Sequence, residues 1–156
     1  MNISLCKKAD AKELAGLIRR VIKESPYYSL EAKKYESGMY SSTNVASSLQ
    51  DRNAVFLVGK DGARIRGFLH GNYDYGTFWI NWIGVDVDSR RNGLAAALIH
   101  HLEALLKAKN IHKIWLDTRT TNKEAIRLFK KLGFKKEAEL KNHWYTSDFY
   151  LWSKFV

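Results

Sequence analysis

Apolar side chains recur with a helical period near the start of the chain. Leu14 to Ile22 carries this spacing, and the helix is expected to end before Pro26, because the residue ahead of a proline resists the helical conformation. Asp10 and Glu13 resemble a capping box at its start. Residues 27–50 are polar and mixed, which predicts one or two short helices with irregular joints.

The middle of the chain changes to the patterning of β-strands. Strands are expected over residues 54–58, 64–73 and 77–85, where β-branched and aromatic residues are common. Turns at Asp61-Gly62 and at residues 74–76 would join these three strands as an antiparallel meander.

The second half of the chain alternates helices with strands. An amphipathic helix from Asn92 to about Lys107 precedes a strand over residues 113–118, and this order predicts a right-handed parallel crossover. A second capping box, Thr121 to Glu124, would open a helix that ends at Gly133.

Residues 135–140 and 147–154 are expected to be the last two strands and to pair with each other. All elements together predict an α/β fold of the α+β kind, in which a mixed and largely antiparallel sheet is flanked by about four helices. The sequence contains no repeat and no linker, so residues 1–156 are expected to form one domain.

The amino-acid composition excludes several classes of protein. Hydrophobic residues make up 46% and charged residues 27%, which is typical of a globular protein. No apolar run approaches the roughly 18 residues of a membrane span, so no membrane partner is expected. The single cysteine, Cys6, excludes an internal disulfide and favours a reducing, cytoplasmic location. No cluster of cysteine, histidine or carboxylate residues has the spacing of metal ligands.

The formal net charge of +10 permits more than one interpretation. It favours a polyanionic partner, such as nucleic acid, a ribosomal surface or a nucleotide-bearing cofactor. A solvated basic surface without a specific role explains it equally well. Charge alone therefore does not choose a function.

The loop between the 77–85 strand and the next helix has the composition of an anion site. A strand that turns directly into a helix leaves backbone N–H groups unpaired at the helix start, beside the positive end of the helix dipole. Gly93 has a bare Cα that lets a phosphate approach, and Arg90 and Arg91 add positive charge. These features predict a cradle for a pyrophosphate.

The spacing Arg90-x-x-Gly93-x-Ala95 resembles the acetyl-CoA-binding motif, Q/R-x-x-G-x-G/A, of the GNAT acyltransferase superfamily. The region from Ile114 to Phe134 resembles a second pattern of that family, a strand, an Asn and then A-x-x-L-Y-x-x-x-G-F. The resemblance covers nearly the whole chain. Within the superfamily, the sequence is most similar to the ribosomal-protein N-terminal acetyltransferases. It implies a sheet whose fourth and fifth strands are parallel and splayed apart. It also implies transfer of an acetyl group from acetyl-CoA directly to a primary amine.

The resemblance assigns roles to individual residues. Backbone groups of Ile83, Gly84 and Val85 would pair with the pantetheine arm as an added strand does. Asn122 would reach the pantetheine or thioester region, although it could instead be a helix-start residue bonded only to its own turn. The loop residues that would wrap the pyrophosphate are Arg90, Arg91, Asn92, Gly93, Leu94 and Ala95.

Phe129 departs from the family pattern at the cofactor site. The family often has tyrosine at this position, thought to protonate the departing thiolate of CoA, and phenylalanine has no proton to give. Another hydroxyl could substitute, water could do so, or the protein could have lost activity. Tyr145 is the preferred substitute acid, with His143 and Tyr150 as alternatives.

Asp117 aligns with an acidic residue proposed as the base in the N-terminal acetyltransferase subgroup. A lysine-type amine, with a pKa of ~10.4, is almost wholly protonated at pH 7, so some group must accept its proton. The alternative is that Asp117 only pairs with a nearby lysine or arginine at a solvated strand end.

Two other functions remain open from the sequence. Phenylalanine at position 129, in place of the usual tyrosine, suggests a non-catalytic CoA-binding module as one alternative. The positive net charge suggests a basic nucleic-acid-binding domain as the other. The absence of helix-turn-helix, RNA-recognition and zinc motifs argues against the second of these. The acceptor could be a protein N-terminus, a lysine or a small amine, and the protein could be a monomer or a homodimer.

Overall fold

A computed structural model describes residues 1–156 and contains a seven-stranded sheet in the order β1-β2-β3-β4-β5-β7-β6. The strands are β1 (Asn2–Leu5), β2 (Ala54–Asp61), β3 (Arg64–Asp74), β4 (Thr77–Val85), β5 (Lys113–Arg119), β6 (Lys135–Leu140) and β7 (Phe149–Phe155). The helices are α1 (Ala11–Glu24), α2 (Leu30–Met39), α3 (Ser42–Ser48), α4 (Leu94–Lys107) and α5 (Lys123–Lys131). No helix has the length and apolar character needed to cross a membrane.

The predicted fold class is confirmed. The three middle strands form an antiparallel meander, β6 pairs with β7, and β4 pairs with β5 in parallel. The sequence did not predict β1, because four residues are too short to display a period, and they are fixed by pairing with β2. Residues 27–50 hold both α2 and α3, so the helices number five rather than about four.

Two hydrophobic clusters lie on opposite faces of the sheet. Successive residues of a strand point to opposite faces, and β2 shows this directly. Val55 and Leu57 join the cluster that contains the buried side chains of α4, whereas Phe56 and Val58 join the cluster beneath α1 and α3. The result is a three-layer domain with helices on both faces of one sheet.

The parallel pair β4–β5 opens into a fork. Only residues 77–79 of β4 pair with residues 113–115 of β5, and beyond that point the two strands separate. A bulge in β4 at Asn81 lies just beyond the last paired residue, since His70 pairs with Trp82 while Gly71 pairs with Ile80. Bulges bend a strand and increase its twist. The remaining part of β4 therefore presents a free edge to a cleft.

Both predicted capping boxes are wrong in detail. The Asp10 side chain does not cap α1, because one oxygen accepts from the Lys7 amide at 3.2 Å, at the start of the short 3-10 turn Lys8–Asp10, and the other pairs with Lys60 at 2.7 Å. Glu13 accepts a hydrogen bond from the Ile65 amide at 2.8 Å, which ties α1 to β3. A long-range partner thus replaces the local one that sequence spacing suggests.

Candidate active site

The loop that follows β4 is anchored at its start by a buried carboxylate. Asp86 is 6% exposed and lies 3.4 Å from the Arg20 guanidinium and 3.9 Å from that of Arg66. Its amide donates to the Arg66 carbonyl at 2.8 Å, which continues the pairing of β3 with β4 by one residue. This anchor fixes where the chain leaves the sheet and turns toward α4.

Gly93 is the N-cap of α4 and has a left-handed backbone with φ +77°. A Cβ built at this position meets no atom within 4 Å, so the Cα faces open space. Arg91 is also left-handed, with φ +62°. The backbone conformation therefore favours glycine at position 93, and the open Cα also leaves room for a ligand.

A continuous run of backbone donors faces outward at the start of α4. None of the amides from Arg91 through Ala96 donates a hydrogen bond within the protein, and the first amide to do so is Ala97, to the Gly93 carbonyl. The positive end of the dipole of a 14-residue helix lies at the same place. The donors that the sequence predicts for a pyrophosphate are present and free.

Two side chains of this loop are turned away from the anion site. The Arg90 Nε donates to the Val85 carbonyl at 3.1 Å, so this guanidinium folds back onto the end of β4. That bond also engages the Val85 carbonyl, one of the groups expected to pair with pantetheine. Leu94 is 4% exposed and packs against Gly59 and Gly67 in the core. Leu94 can therefore contribute only its amide, while Arg91 and Asn92 are exposed.

The fork between β4 and β5 opens into a cleft of about 1360 Å³. Its walls come from β4, β5, α5, the segment around α2 and the loop between β6 and β7. The predicted site residues that line it are Ile83, Gly84, Val85, Arg90, Ala95, Asp117, Asn122, Phe129 and Tyr145. The fold thus brings residues of both predicted motifs and the predicted base to one cavity. The predicted residues that do not line it are Arg91, Asn92, Gly93 and Leu94.

One face of β5 supplies the polar groups of the cleft. Trp115, Asp117 and Arg119 lie on one face of the strand and all three line the cleft. The intervening residues Leu116 and Thr118 also border the cleft and are buried, as Arg119 is. Asp117 is half-buried and forms no ion pair within 4.0 Å, which disfavours the alternative of a solvated surface pair. Burial raises the pKa of Asp117 to about 6, Arg119 opposes that rise and the charge of Glu36 adds to it. The Asp117 carboxylate therefore takes up a proton at a pH closer to neutral than an exposed aspartate does.

Arg119 was not singled out by sequence reasoning. The residue is 6% exposed, and its guanidinium lies 4.1 Å from the ring centre of Tyr28, 5.0 Å from that of Phe149 and 5.9 Å from that of Tyr145. Its Nε and Nη2 atoms are buried and have no hydrogen-bond partner. Its position two residues after Asp117 on a strand was the one sequence signal that could have found it.

Tyr145 closes one side of the cleft through a bond to α2. Its hydroxyl donates to Glu36 Oε1 at 3.1 Å and so joins segments 109 residues apart. Burial and the Glu36 carboxylate together raise the pKa of Tyr145 to about 12. Tyr145 and Thr146 have left-handed backbones, with φ 53° and 56°, in the loop between β6 and β7. Glu36 lies in the segment 27–50, where the sequence pattern says least.

Asn122 and Phe129 have mainly structural contacts. Asn122 Oδ1 accepts from the Ala125 amide at 3.1 Å and caps α5, as its alternative interpretation expects, while the residue also lines the cleft. This makes Asn122, not Thr121, the cap of that helix. Phe129 is 1% exposed and meets Phe134 edge-on at 5.4 Å between ring centres. Of the alternative acids, neither His143 nor Tyr150 lines the cleft.

Comparison with known proteins identifies the family. The family model described as Acetyltransferase (GNAT) family matches residues 18–134, and the chain belongs to this family. That family uses acetyl-CoA as its acetyl donor. No group of three or more histidine, cysteine or acidic side chains in this chain is placed to hold a metal ion.

Curated relatives match part of the chain. The [Ribosomal protein bS18]-alanine N-acetyltransferase of Escherichia coli (strain K12) is 38% identical over 66 residues, which is 42% of this chain and 45% of that protein. The chain therefore spans less than half the length of this relative in the match. An N-alpha-acetyltransferase of Sulfurisphaera tokodaii is 28% identical over 118 residues, or 66% of this chain and 70% of that protein.

Solved structures match the fold over its full length. The PaiA N-acetyltransferase from Thermoplasma acidophilum, determined in complex with coenzyme A, superimposes with a TM-score of 0.86 at 17% identity and covers 100% of both chains. The ribosomal-protein-S18-alanine N-acetyltransferase from Escherichia coli gives a TM-score of 0.77 at 21% identity, covering 99% of this chain and 93% of that one. At these identities the likeness defines the fold.

Proposed function

We propose that this protein is an N-acetyltransferase that moves an acetyl group from acetyl-CoA directly to a primary amine. The observation that carries the proposal is the run of unbonded amides from Arg91 through Ala96, which opens beside the same cleft that holds Asp117. Family membership and relatives that acetylate ribosomal-protein alanine support the same reaction. A protein N-terminus, a lysine and a small amine are all acceptors of this chemical class.

The residues present fit a coenzyme A donor. The free amides at the start of α4 suit the two phosphates of its pyrophosphate, because each amide supplies one directed N–H to an anionic oxygen. The unpaired edge of β4 at Ile83 and Gly84 suits the amide groups of the pantetheine arm. Acetyl-CoA, when bound, supplies the activated thioester.

Asp117 is the proposed base. Its carboxylate accepts a proton from the acceptor ammonium, directly or through one water, and so provides the neutral amine that attacks the thioester carbonyl. A pKa of about 6 leaves Asp117 mainly ionised at pH 7 while making it a stronger base than an exposed aspartate. The burial that raises the pKa therefore serves the reaction.

The pH dependence of the rate should report this group. Below pH about 6 Asp117 becomes protonated and can no longer accept a proton, so kcat/KM is expected to fall as the pH decreases through that value. Initial rates measured from pH 5 to 9, in buffers of matched ionic strength, give this pH dependence of kcat/KM. A profile with no limb near 6, or one that persists in Asp117→Asn, contradicts the role of Asp117.

The sequence predicts that Tyr145 replaces the acid that is missing because residue 129 is phenylalanine. The contacts of Tyr145 favour a different role. Its proton already lies in a hydrogen bond to Glu36, and a pKa of about 12 makes transfer to a thiolate of pKa near ~8.5 unfavourable. We infer that Tyr145 shapes the acceptor wall and that the thiolate leaves without a side-chain acid.

Tyr145→Phe distinguishes these two roles. If Tyr145 shapes the wall, kcat should fall by less than about tenfold while KM for the amine rises, because one hydrogen bond to Glu36 is lost. Steady-state kinetics at saturating acetyl-CoA separate the two constants. A loss in kcat of about 100-fold or more would restore Tyr145 as the acid.

Release of free CoA across a panel of amines tests the proposed function itself. The panel should include peptides with free N-termini, lysine-containing peptides blocked at the N-terminus, polyamines and amino acids. The proposal predicts thiol release above the acceptor-free background with at least one class. Calorimetric binding of CoA without turnover on any acceptor would indicate the non-catalytic module instead. Salt-sensitive binding to generic duplex without competition by CoA would indicate a nucleic-acid-binding domain.

A further inference from the structure

Arg119 presents two adjacent hydrogen-bond donors that nothing in the protein accepts. The Nε–H and Nη2–H groups of a guanidinium lie on the same side and point in parallel, and these are the two atoms left without a partner. The residue is 6% exposed and lines the cleft. A paired fork of this geometry matches the two oxygens of a carboxylate.

Leaving such donors unpaired is unfavourable in a buried site. Buried polar groups in folded proteins nearly always have hydrogen-bond partners, and a charged group pays a larger penalty than a neutral one. The ring centres of Tyr28, Phe149 and Tyr145 lie 4.1, 5.0 and 5.9 Å from the guanidinium, but these residues supply no oxygen acceptor to the fork. The charge is therefore held in place by the aromatic rings, and its directional donors remain available.

Asp117 lies two residues earlier on the same face of β5. Two such positions are separated by roughly 6.6 Å along a strand, at about 3.3 Å per residue. An acceptor whose amine reaches Asp117 would therefore place a group a few bonds away beside Arg119. The two side chains together select for an amine on one side and an anion on the other.

We propose that Arg119 binds a carboxylate of the acceptor, so that the preferred acceptor is a primary amine with a carboxylate a few bonds from the nitrogen. The inference rests on the proposed function and narrows its acceptor. Two sources share this chemistry: the α-carboxylate of a free amino acid, and an acidic side chain next to the N-terminus of a peptide.

Tyr145 stands apart from the other two rings around the Arg119 guanidinium. Of the three rings it is the one farthest from the guanidinium, at 5.9 Å, and its hydroxyl is held by one bond to Glu36. Its loop is fixed at the base, where the Asn142 amide donates to Asp148 at 2.8 Å. We therefore expect the Tyr145 side chain to adjust to a bound carboxylate while the base of its loop stays in place.

Matched acceptors test the proposal on the unaltered protein. The common L-amino acids are compared with their amides, and the peptide Ala-Glu-Ala-amide with Ala-Gln-Ala-amide, by kcat/KM for CoA release. The carboxylate-bearing member of at least one pair should be preferred by about 10- to 100-fold. Preference for amino acids assigns the α-carboxylate, and preference for the Glu peptide assigns the acidic side chain.

Two results separate failure of this inference from failure of the proposed function. If both members of every pair are acetylated equally well, the inference is overturned and the acetyltransferase stands. If no acceptor in the wider amine panel releases CoA, the proposed function fails and this inference fails with it.

Variants of Arg119 give a second, independent readout. Arg119→Lys keeps the charge but loses the fork, and Arg119→Gln loses both, so the preference ratio should fall in the first and reach about one in the second. Turnover of amide acceptors reports whether each variant still folds and binds acetyl-CoA. Arg52→Lys, at an exposed position outside the cleft, is the matched control and should keep the full ratio. An unchanged ratio in a folded Arg119 variant contradicts the proposal.

Discussion

Replacing Asp117 with asparagine is expected to lower kcat by about 100- to 10,000-fold, the range typical of a lost general base. Asparagine has nearly the same shape but cannot accept a proton at neutral pH. The affinity for acetyl-CoA should stay within about twofold, because the anion site lies on a different element, at the start of α4. Single-turnover rates and calorimetric binding of CoA measure the two quantities separately.

The folding stability of Asp117→Asn provides an internal check. The folded-state pKa of Asp117 is raised above its ordinary value, so ionising it opposes folding, and this effect is present above about pH 6 and vanishes below about pH 4. The variant should therefore be at least as stable as the parent at pH 7.5. Asp61→Asn, an exposed position outside the cleft, should leave both rate and stability unchanged. Equal turnover by Asp117→Asn and the parent would remove Asp117 from the mechanism.

Gly93→Val is expected to weaken acetyl-CoA binding by at least about tenfold. A left-handed backbone at a residue with a side chain costs about 1–2 kcal/mol, and more for a β-branched residue, so the loop should move to a different conformation. That movement disperses the aligned amides from Arg91 through Ala96. Calorimetric titration with CoA measures the loss directly.

Gly62→Val is the matched control for that experiment. Gly62 is also left-handed, with φ +58°, and its Cα also faces open space, but it lies in the hairpin turn between β2 and β3. This variant should lose a comparable amount of folding stability and keep its affinity for CoA. Equal loss of affinity in both variants would show that strain, and not the amide array, accounts for the effect of Gly93→Val.

The part of the site that depends on local chain geometry was predictable from sequence. A strand, a short loop with Gly93 and an amphipathic helix must place free amides at one end of that helix, whatever surrounds them. The side of β5 that carries Asp117 also follows from strand alternation. The splay of β4 from β5 came from the family resemblance, since no local pattern encodes it.

The residues that sequence reasoning missed are those fixed by distant contacts. Glu36 matters because Tyr145 donates to it across 109 residues, and Glu13 leaves its expected capping role for the amide of Ile65. In the sequence, Arg119 is an ordinary cation at the end of a strand. Only the fold brings the three aromatic rings around it. Each of these roles is created by tertiary packing, which overrides local spacing.

The central claim is that the amides at the start of α4 bind the pyrophosphate of the acetyl donor. At 18.0 kDa the chain is accessible to amide NMR, and titration with CoA follows each N–H individually. The account predicts that the largest shifts occur at residues 91–96 and that these resonances return toward their free positions in Gly93→Val. Binding of CoA that leaves the amides of residues 91–96 unperturbed would contradict it.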